Sequence, residues 1–117
     1  MHQYIDGQHR NGTSGETFDV LDPSTNEVVE TVGLASPDDV DAAVAAAGAA
    51  FHEWSRATPV ERATVLARAA TLLEQRAEEF AQVESRHAGK PIRMAREFDV
   101  PGTVDNTAFF GAAARRL

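Results

Sequence analysis

Gly89-Lys90 is a pair whose residue types could do chemistry, because a glycine followed by a lysine closes a phosphate-binding loop. That loop also needs a glycine five residues earlier and a Ser or Thr after the lysine. Glu84 and Pro91 stand in those places, so the phosphate loop is excluded. Glu84 and His87 have the i, i+3 spacing of carboxylate-bridged di-iron bundles. Such a centre takes two of these motifs and further glutamates, and one motif is present, so no metal site is assigned and His87 reads as a helix-end histidine. The other histidines are His2, His9 and His52, and there is no cysteine, which rules out disulfides, thiolate metal sites and a cysteine nucleophile within the chain. No Gly-x-Gly-x-x-Gly follows a strand, and no serine sits in a nucleophile elbow. Trp54 and the pair Phe109-Phe110 lack a flanking basic run, so they read as core rather than as a base-stacking platform. Residue chemistry alone assigns no catalytic, cofactor-binding or metal residue.

The elements that must position these groups are well marked. Glu84 to Pro91 reads as a helix end: Gly89 can take the left-handed conformation, Pro91 can open the next helix, and Arg86 and His87 suit the negative end of the dipole. Before it, Asp6-Gly7 and Asn11-Gly12 favour tight turns, Thr17–Leu21 and Glu27–Val32 read as strands, and Asp22 to Asn26 is turn chemistry. The first third is therefore one or two hairpins. Ser36-Pro37-Asp38-Asp39 predicts a helix start, with Val40, Val44, Ala47, Phe51 and Trp54 recurring at helical spacing. Thr58-Pro59-Val60-Glu61 predicts a second, with Glu61 completing a capping box and Leu66, Ala69, Ala70, Leu72 and Leu73 turned inward. Alanines in both helices allow close approach. A third helix runs from Ala77 to about Ala88, with Phe80 and Val83 on one side and Glu78, Glu79 and Gln82 on a solvated face. A short helical stretch from Ile92 to Phe98 follows, and Asp99 is expected to cap a last helix that has Pro101 in its first turn.

A chain of 117 residues is about one domain and long enough to bury a core. The net charge of -7, from 18 acidic and 11 basic side chains, argues against a nucleic-acid binder, which would show a basic stripe. The weakly polar run from Ala42 to Phe51 is far short of a membrane span, and the N-terminal residues lack the apolar stretch of a signal peptide. A cytoplasmic protein with no membrane partner is the expectation.

The order of landmarks resembles the N-terminal part of the NAD(P)-dependent aldehyde dehydrogenase superfamily. The matching pieces are Tyr4-Ile5-Asp6-Gly7-Gln8, Ser14 to Phe18, Leu21 to Thr25, Ala35 to Val44, Phe51 with Trp54, and Thr58-Pro59 with Glu61-Arg62. They end with Glu84-Ser85, Gly89-Lys90-Pro91 and Phe109-Phe110 followed by Ala113-Ala114-Arg115. Singly each piece is weak; in collinear order over nearly the whole chain they are specific. Glu84-Ser85-Arg86 with Val104-Asp105 and the Phe pair is most similar to the γ-aminobutyraldehyde and betaine-aldehyde branch. Many relatives carry Asp-Thr before Gly-Lys-Pro, the aspartate helping to hold a monovalent cation in some; His87-Ala88 stands here. Gly111-Ala112 also replaces the relatives' Ala-Gly after the aromatic pair.

The resemblance implies an α/β fold: β-hairpins followed by three to four α-helices, the first portion of a Rossmann-like NAD-binding domain. It implies that residues 1–117 are a C-terminally truncated segment of a longer homodimeric or homotetrameric enzyme. In such enzymes a cysteine attacks the aldehyde, the thiohemiacetal gives hydride to NAD or NADP, and a glutamate activates water to release the acid. Cysteine, base and cofactor signature lie downstream of the matching region, so the segment is expected to be inactive alone. In the aminoaldehyde branch an acidic residue ten places before the aromatic pair lies at the mouth of the substrate tunnel. Here that is Asp99; a second acidic position in some plant relatives is Gly102. The rival expectation is a self-sufficient interaction domain, a hairpin with a helical bundle, and the length of the native product separates the two.

Overall fold

The computed structural model describes residues 2–115, which form two compact units. The first is built from residues up to Asp22 and from Asn26 to Arg56; the second takes Pro23 to Thr25 and the chain from Ala57 onward.

In the first unit, β1 (Gln3–Ile5) pairs antiparallel with β2 (Gln8–Arg10), and Ile5 stands opposite Gln8. Asp6 and Gly7 alone make the turn, with φ of +52° and +74°, the double positive that a type I′ turn requires. β3 (Thr17–Leu21) pairs antiparallel with β4 (Val28–Gly33), slipping register between Val20 and Leu21. Their connection closes as its residues dictate: Asn26 sits at φ +62° and its amide donates to the Asp22 carbonyl at 2.7 Å. Asn11-Gly12, expected as another tight turn, does a different job. Gly12 lies against the Leu34 backbone so closely that a Cβ would collide with the Leu34 carbonyl oxygen. The glycine is there for close approach, which a turn dipeptide signals equally well.

α1 (Pro37–Trp54) opens on Ser36, whose Oγ accepts from the Asp39 amide at 3.2 Å while Asp39 Oδ2 accepts from the Ser36 amide at 2.9 Å. The same carboxylate accepts from the amide and hydroxyl of Thr13, at 2.8 and 2.9 Å. These bonds, the Ser36 amide first, hold the Asp39 carboxyl down at about 2. A capping box thus becomes a tie to a loop 26 residues away in sequence. Nothing among the described residues covers the apolar stripe of α1: the helix buries no residue, and Val44, Phe51 and Trp54 are all exposed.

In the second unit, α2 (Pro59–Gln75) starts at the expected Thr58–Glu61 box; Glu61 Oε2 accepts from the Thr58 amide at 2.7 Å. Its partner is α5 (Val100–Ala113), which it meets through small residues. Ala63 and Ala70 are buried, and a Cβ on Gly111 would come within 3.1 Å of Leu66 Cβ. Ala70 is thus inward as expected, with Leu66, Ala69 and Leu73 half-buried, but Leu72 is exposed. α3 (Ala77–Ala88) buries Ala81 instead of Phe80 or Val83, in a cluster with Ala95 and Val100 to which Ala77 and Ile92 add. Phe109 and Phe110 stack edge to face, 5.3 Å apart, and are 65% and 61% exposed: nothing among the described residues covers this pair. Periodicity points to the longest apolar side chains, but the helices meet backbone to backbone on alanine and glycine.

α3 ends at Gly89, with φ +64°, and Arg86 and His87 occupy its last turn. After Pro91 the chain stays helical through α4 (Ile92–Met94), a π-helical turn (Ala95–Asp99) and α5. Asp99 is accordingly no cap: its φ and ψ are -68° and -51°, and its side chain bonds no free amide. The helical bodies are then α1, α2, α3 and the continuous run 92–113, within the expected number.

Two glycines separate strain from exposure. Gly48, mid-helix in α1 with open space around it, should gain about 1 kcal/mol as Gly48→Ala. Gly89→Ala must place a Cβ 2.9 Å from Pro23 Cβ at positive φ and should lose more than about 1 kcal/mol. Urea midpoints of the two variants against the parent check both signs.

Candidate functional site

The residues singled out around Gly89-Lys90 do come together. Ser85 Oγ donates to the Lys90 carbonyl at 2.7 Å, closing the turn that Gly89 makes possible. The Lys90 side chain then reaches Glu84 Oε1 at 2.7 Å and Asp99 Oδ2 at 2.8 Å. One ammonium thus joins the last turn of α3 to the end of the π-turn. The bond to Asp99, then that to Glu84, raises the Lys90 pKa above its ordinary value.

The π-turn sets this geometry. The Val100 amide donates to the Ala95 carbonyl, five residues back instead of four. Arg96, inside the turn, makes a two-pronged ion pair with Glu78 of α3, its Nε 2.8 Å from Glu78 Oε2. Both charged side chains of the turn that face α3 and its C-terminal loop are therefore paired. Thr103 Oγ1 donates to the Asp99 carbonyl at 2.7 Å, one turn on. Leu73, Phe80, Glu84, Asp99, Val100 and Thr103 line a groove of about 440 Å³ here.

The metal-site candidates of the sequence are placed as follows. Glu84, the carboxylate of the Glu84/His87 pair, is taken by Lys90. Among the described residues no group of three or more His, Cys, Asp or Glu could hold a metal ion. His2 and His9 sit on the first hairpin, with His2 Nδ1 2.7 Å from Asn11 Oδ1, and His52 lies in the last turn of α1. No helix among the described residues is long and apolar enough to cross a membrane.

The amides at the starts of α1 and α2 are engaged by their own capping boxes, and the described strands form two-stranded antiparallel sheets without a parallel crossover. Lys90, the cation beside a glycine turn, is already shared by two carboxylates. What the cluster can do is present carboxylate charge, moderated by one ammonium, beside an apolar wall.

Comparison with known proteins gives this arrangement its context. Residues 9–117 match the aldehyde dehydrogenase family, and the chain belongs to it. It is 43% identical over 114 residues to the 2-aminomuconic semialdehyde dehydrogenase of Homo sapiens, covering 97% of this chain and 23% of that protein. The crystal structure of PnpE in complex with nicotinamide adenine dinucleotide shares 39% identity and superposes with a TM-score of 0.92, over 97% of this chain and 23% of that one. A variant of the P. syringae indole-3-acetaldehyde dehydrogenase in complex with NAD+ gives 36% and 0.92, over 99% of this chain and 24% of that one. The chain thus spans about a quarter of the length of these relatives. The α/β order of hairpins followed by helices is that of the family's solved structures.

Sequence reasoning named Asp99, Glu84 and Lys90 separately but missed that they form one cluster. Nine residues separate Lys90 from Asp99, a spacing that regular helix geometry does not bring into contact. Arg96 and Glu78 were missed as a pair for the same reason.

The Arg96 hydrogen bonds first, then Gln82, hold the Glu78 carboxyl down at about 2 against an ordinary 4.5. A depressed folded pKa means that this pair's stabilisation is complete above about 4.5 and is lost as the pH falls toward 2. Hydrogen-exchange protection of the Ala95–Asp99 amides should therefore drop through that window, and less so in Glu78→Gln. A Glu78 titration midpoint above 4 by carboxyl NMR would contradict the pairing.

Proposed function

We propose that these residues are one segment of a longer NAD(P)-dependent aldehyde dehydrogenase, which oxidises an aldehyde to the carboxylic acid. The observation that carries the reading is the family match over residues 9–117, joined to superposition on NAD-bound relatives. Family membership also favours it over a self-sufficient interaction domain. The segment has no cysteine and spans about a quarter of its relatives' length, so in this reading the nucleophile and the cofactor signature lie elsewhere in the enzyme and the 117 residues do not turn over alone. A homodimeric or homotetrameric assembly in the cytoplasm completes the proposal.

The substrate we propose is an aminoaldehyde, such as γ-aminobutyraldehyde or betaine aldehyde. The resemblance of Glu84-Ser85-Arg86 and Val104-Asp105 to that branch supports it, as does a relative named for an amino-substituted semialdehyde. Asp99 is then the substrate-entrance residue. Its carboxylate lines the groove and is partly exposed, so it can attract a distant ammonium group even while Lys90 holds one of its oxygens.

Two measurements test this. The purified 117-residue chain should produce no NADH or NADPH above a blank with any aldehyde, while the full-length enzyme should. In that enzyme, Asp99→Asn keeps an acceptor for Lys90 but removes the charge. The ratio of kcat/KM for γ-aminobutyraldehyde to that for a neutral aldehyde of equal length should fall about five-fold, the scale of a partly exposed ion pair. An unchanged ratio removes Asp99 from substrate selection.

A further inference from the structure

Three observations of separate origin meet at Asp99. It is the last residue of the π-turn, a geometry that single residues of extra length impose on a helix and that re-aims the side chains within it. Its carboxylate shares the Lys90 ammonium with Glu84, at 2.8 and 2.7 Å. Both carboxylates line the groove whose other walls are Leu73, Phe80, Val100 and Thr103.

Charge balance in the cluster is uneven: two carboxylates face one ammonium. A tie between α3 and the π-turn already exists in the Arg96–Glu78 pair, so Lys90 is not needed for that alone. We propose that Lys90 is a specificity-determining residue, which by holding Asp99 and Glu84 together limits the negative charge that a substrate's cationic end meets at the groove. It is a positioning residue in the sense that it acts through Asp99. The inference rests on the reading of Asp99 as the substrate-entrance carboxylate of an aldehyde-oxidising enzyme.

The backbone is arranged to keep Lys90 in this role. Gly89 at positive φ turns the chain back, and Ser85 Oγ holds the Lys90 carbonyl, so the side chain starts from a fixed point. The partners are partly exposed, with side-chain exposures of 46% for Glu84 and 41% for Asp99. Solvent therefore attenuates every pairwise interaction, and the effect on selection is several-fold rather than orders of magnitude. The other groove walls are uncharged, Leu73 on α2, Phe80 on α3, Val100 and Thr103 on α5, and the nearby Arg76 guanidinium, 5.4 Å from the Phe80 ring centroid, is paired with Glu79.

The test uses full-length enzyme carrying Lys90→Gln, which retains a hydrogen-bond donor but no charge, and Lys90→Arg, which retains both. The ratio of kcat/KM for γ-aminobutyraldehyde to that for a neutral aldehyde of equal length should rise about five-fold in K90Q and stay near the parent in K90R. Raised ionic strength should shrink the gain, and in an Asp99→Asn background K90Q should give a smaller one. A ratio unmoved in K90Q, or both substrates changed alike, overturns the proposal and leaves Lys90 as a structural tie. Should K90Q fail to fold, Glu84→Gln serves: it releases Lys90 wholly to Asp99 and must lower the ratio, and an unmoved ratio there overturns the proposal equally. If the parent enzyme oxidises no aldehyde, the reading of function fails. Lys90 is then decided by calorimetry with n-butylammonium against 1-butanol: tighter binding of the cation alone by K90Q upholds it, and equal binding by parent and variant overturns it.

Discussion

Close approach of backbones is the constraint on which the helical unit depends. Buried apolar positions among the described residues are Ile5, Ala63, Ala70, Ala81, Ala95 and Val100, and no large side chain is fully buried. Alanine contributes little apolar area, so the hydrophobic gain per buried residue is small. What it allows is proximity: α2 and α5 meet where Gly111 leaves room for Leu66 and Ala67. A larger residue at Gly111 would push the two helices apart, and with them the groove that begins at Leu73 and Val100.

α3 is seated by Ala81, packed with Ala95 and Val100, and charged contacts add to that placement. Glu78 takes both prongs of Arg96 near the start of α3, and Glu84 takes Lys90 near its end. These are partly exposed pairs, each individually weak in water. Their effect is directional: they tie the charged side chains that the π-turn presents to the two ends of α3.

Local chemistry made much of this legible in sequence. Ser36 and Thr58 announced their helices because a hydroxyl followed three residues later by a carboxylate satisfies free amides whatever the tertiary context. Gly89, Asn26 and Asp6-Gly7 announced positive φ for equally local reasons. Burial was read less well. Val44, Phe51 and Trp54 recur at helical spacing, which identifies an apolar face but not whether anything among these residues covers it. The site was legible only in part. Asp99 was singled out through family resemblance, whereas its bond to Lys90 depends on a π-turn for which Ala-Arg-Glu-Phe-Asp carries no local signal. A helix with regular hydrogen bonds would have read identically in composition.

The widened turn also separates two kinds of tolerance to change. A π-turn absorbs one surplus residue within a single loop of helix, so the residues beyond it keep the angular positions they would have had without it. Loss of one residue between Ala95 and Asp99 would therefore restore a regular helix and leave Val100 and Gly111 seated as before, while swinging Arg96 and Asp99 to new bearings. In a lineage of such chains, a deletion at this point offers a route by which the charges at the groove are reshuffled and the scaffold is not.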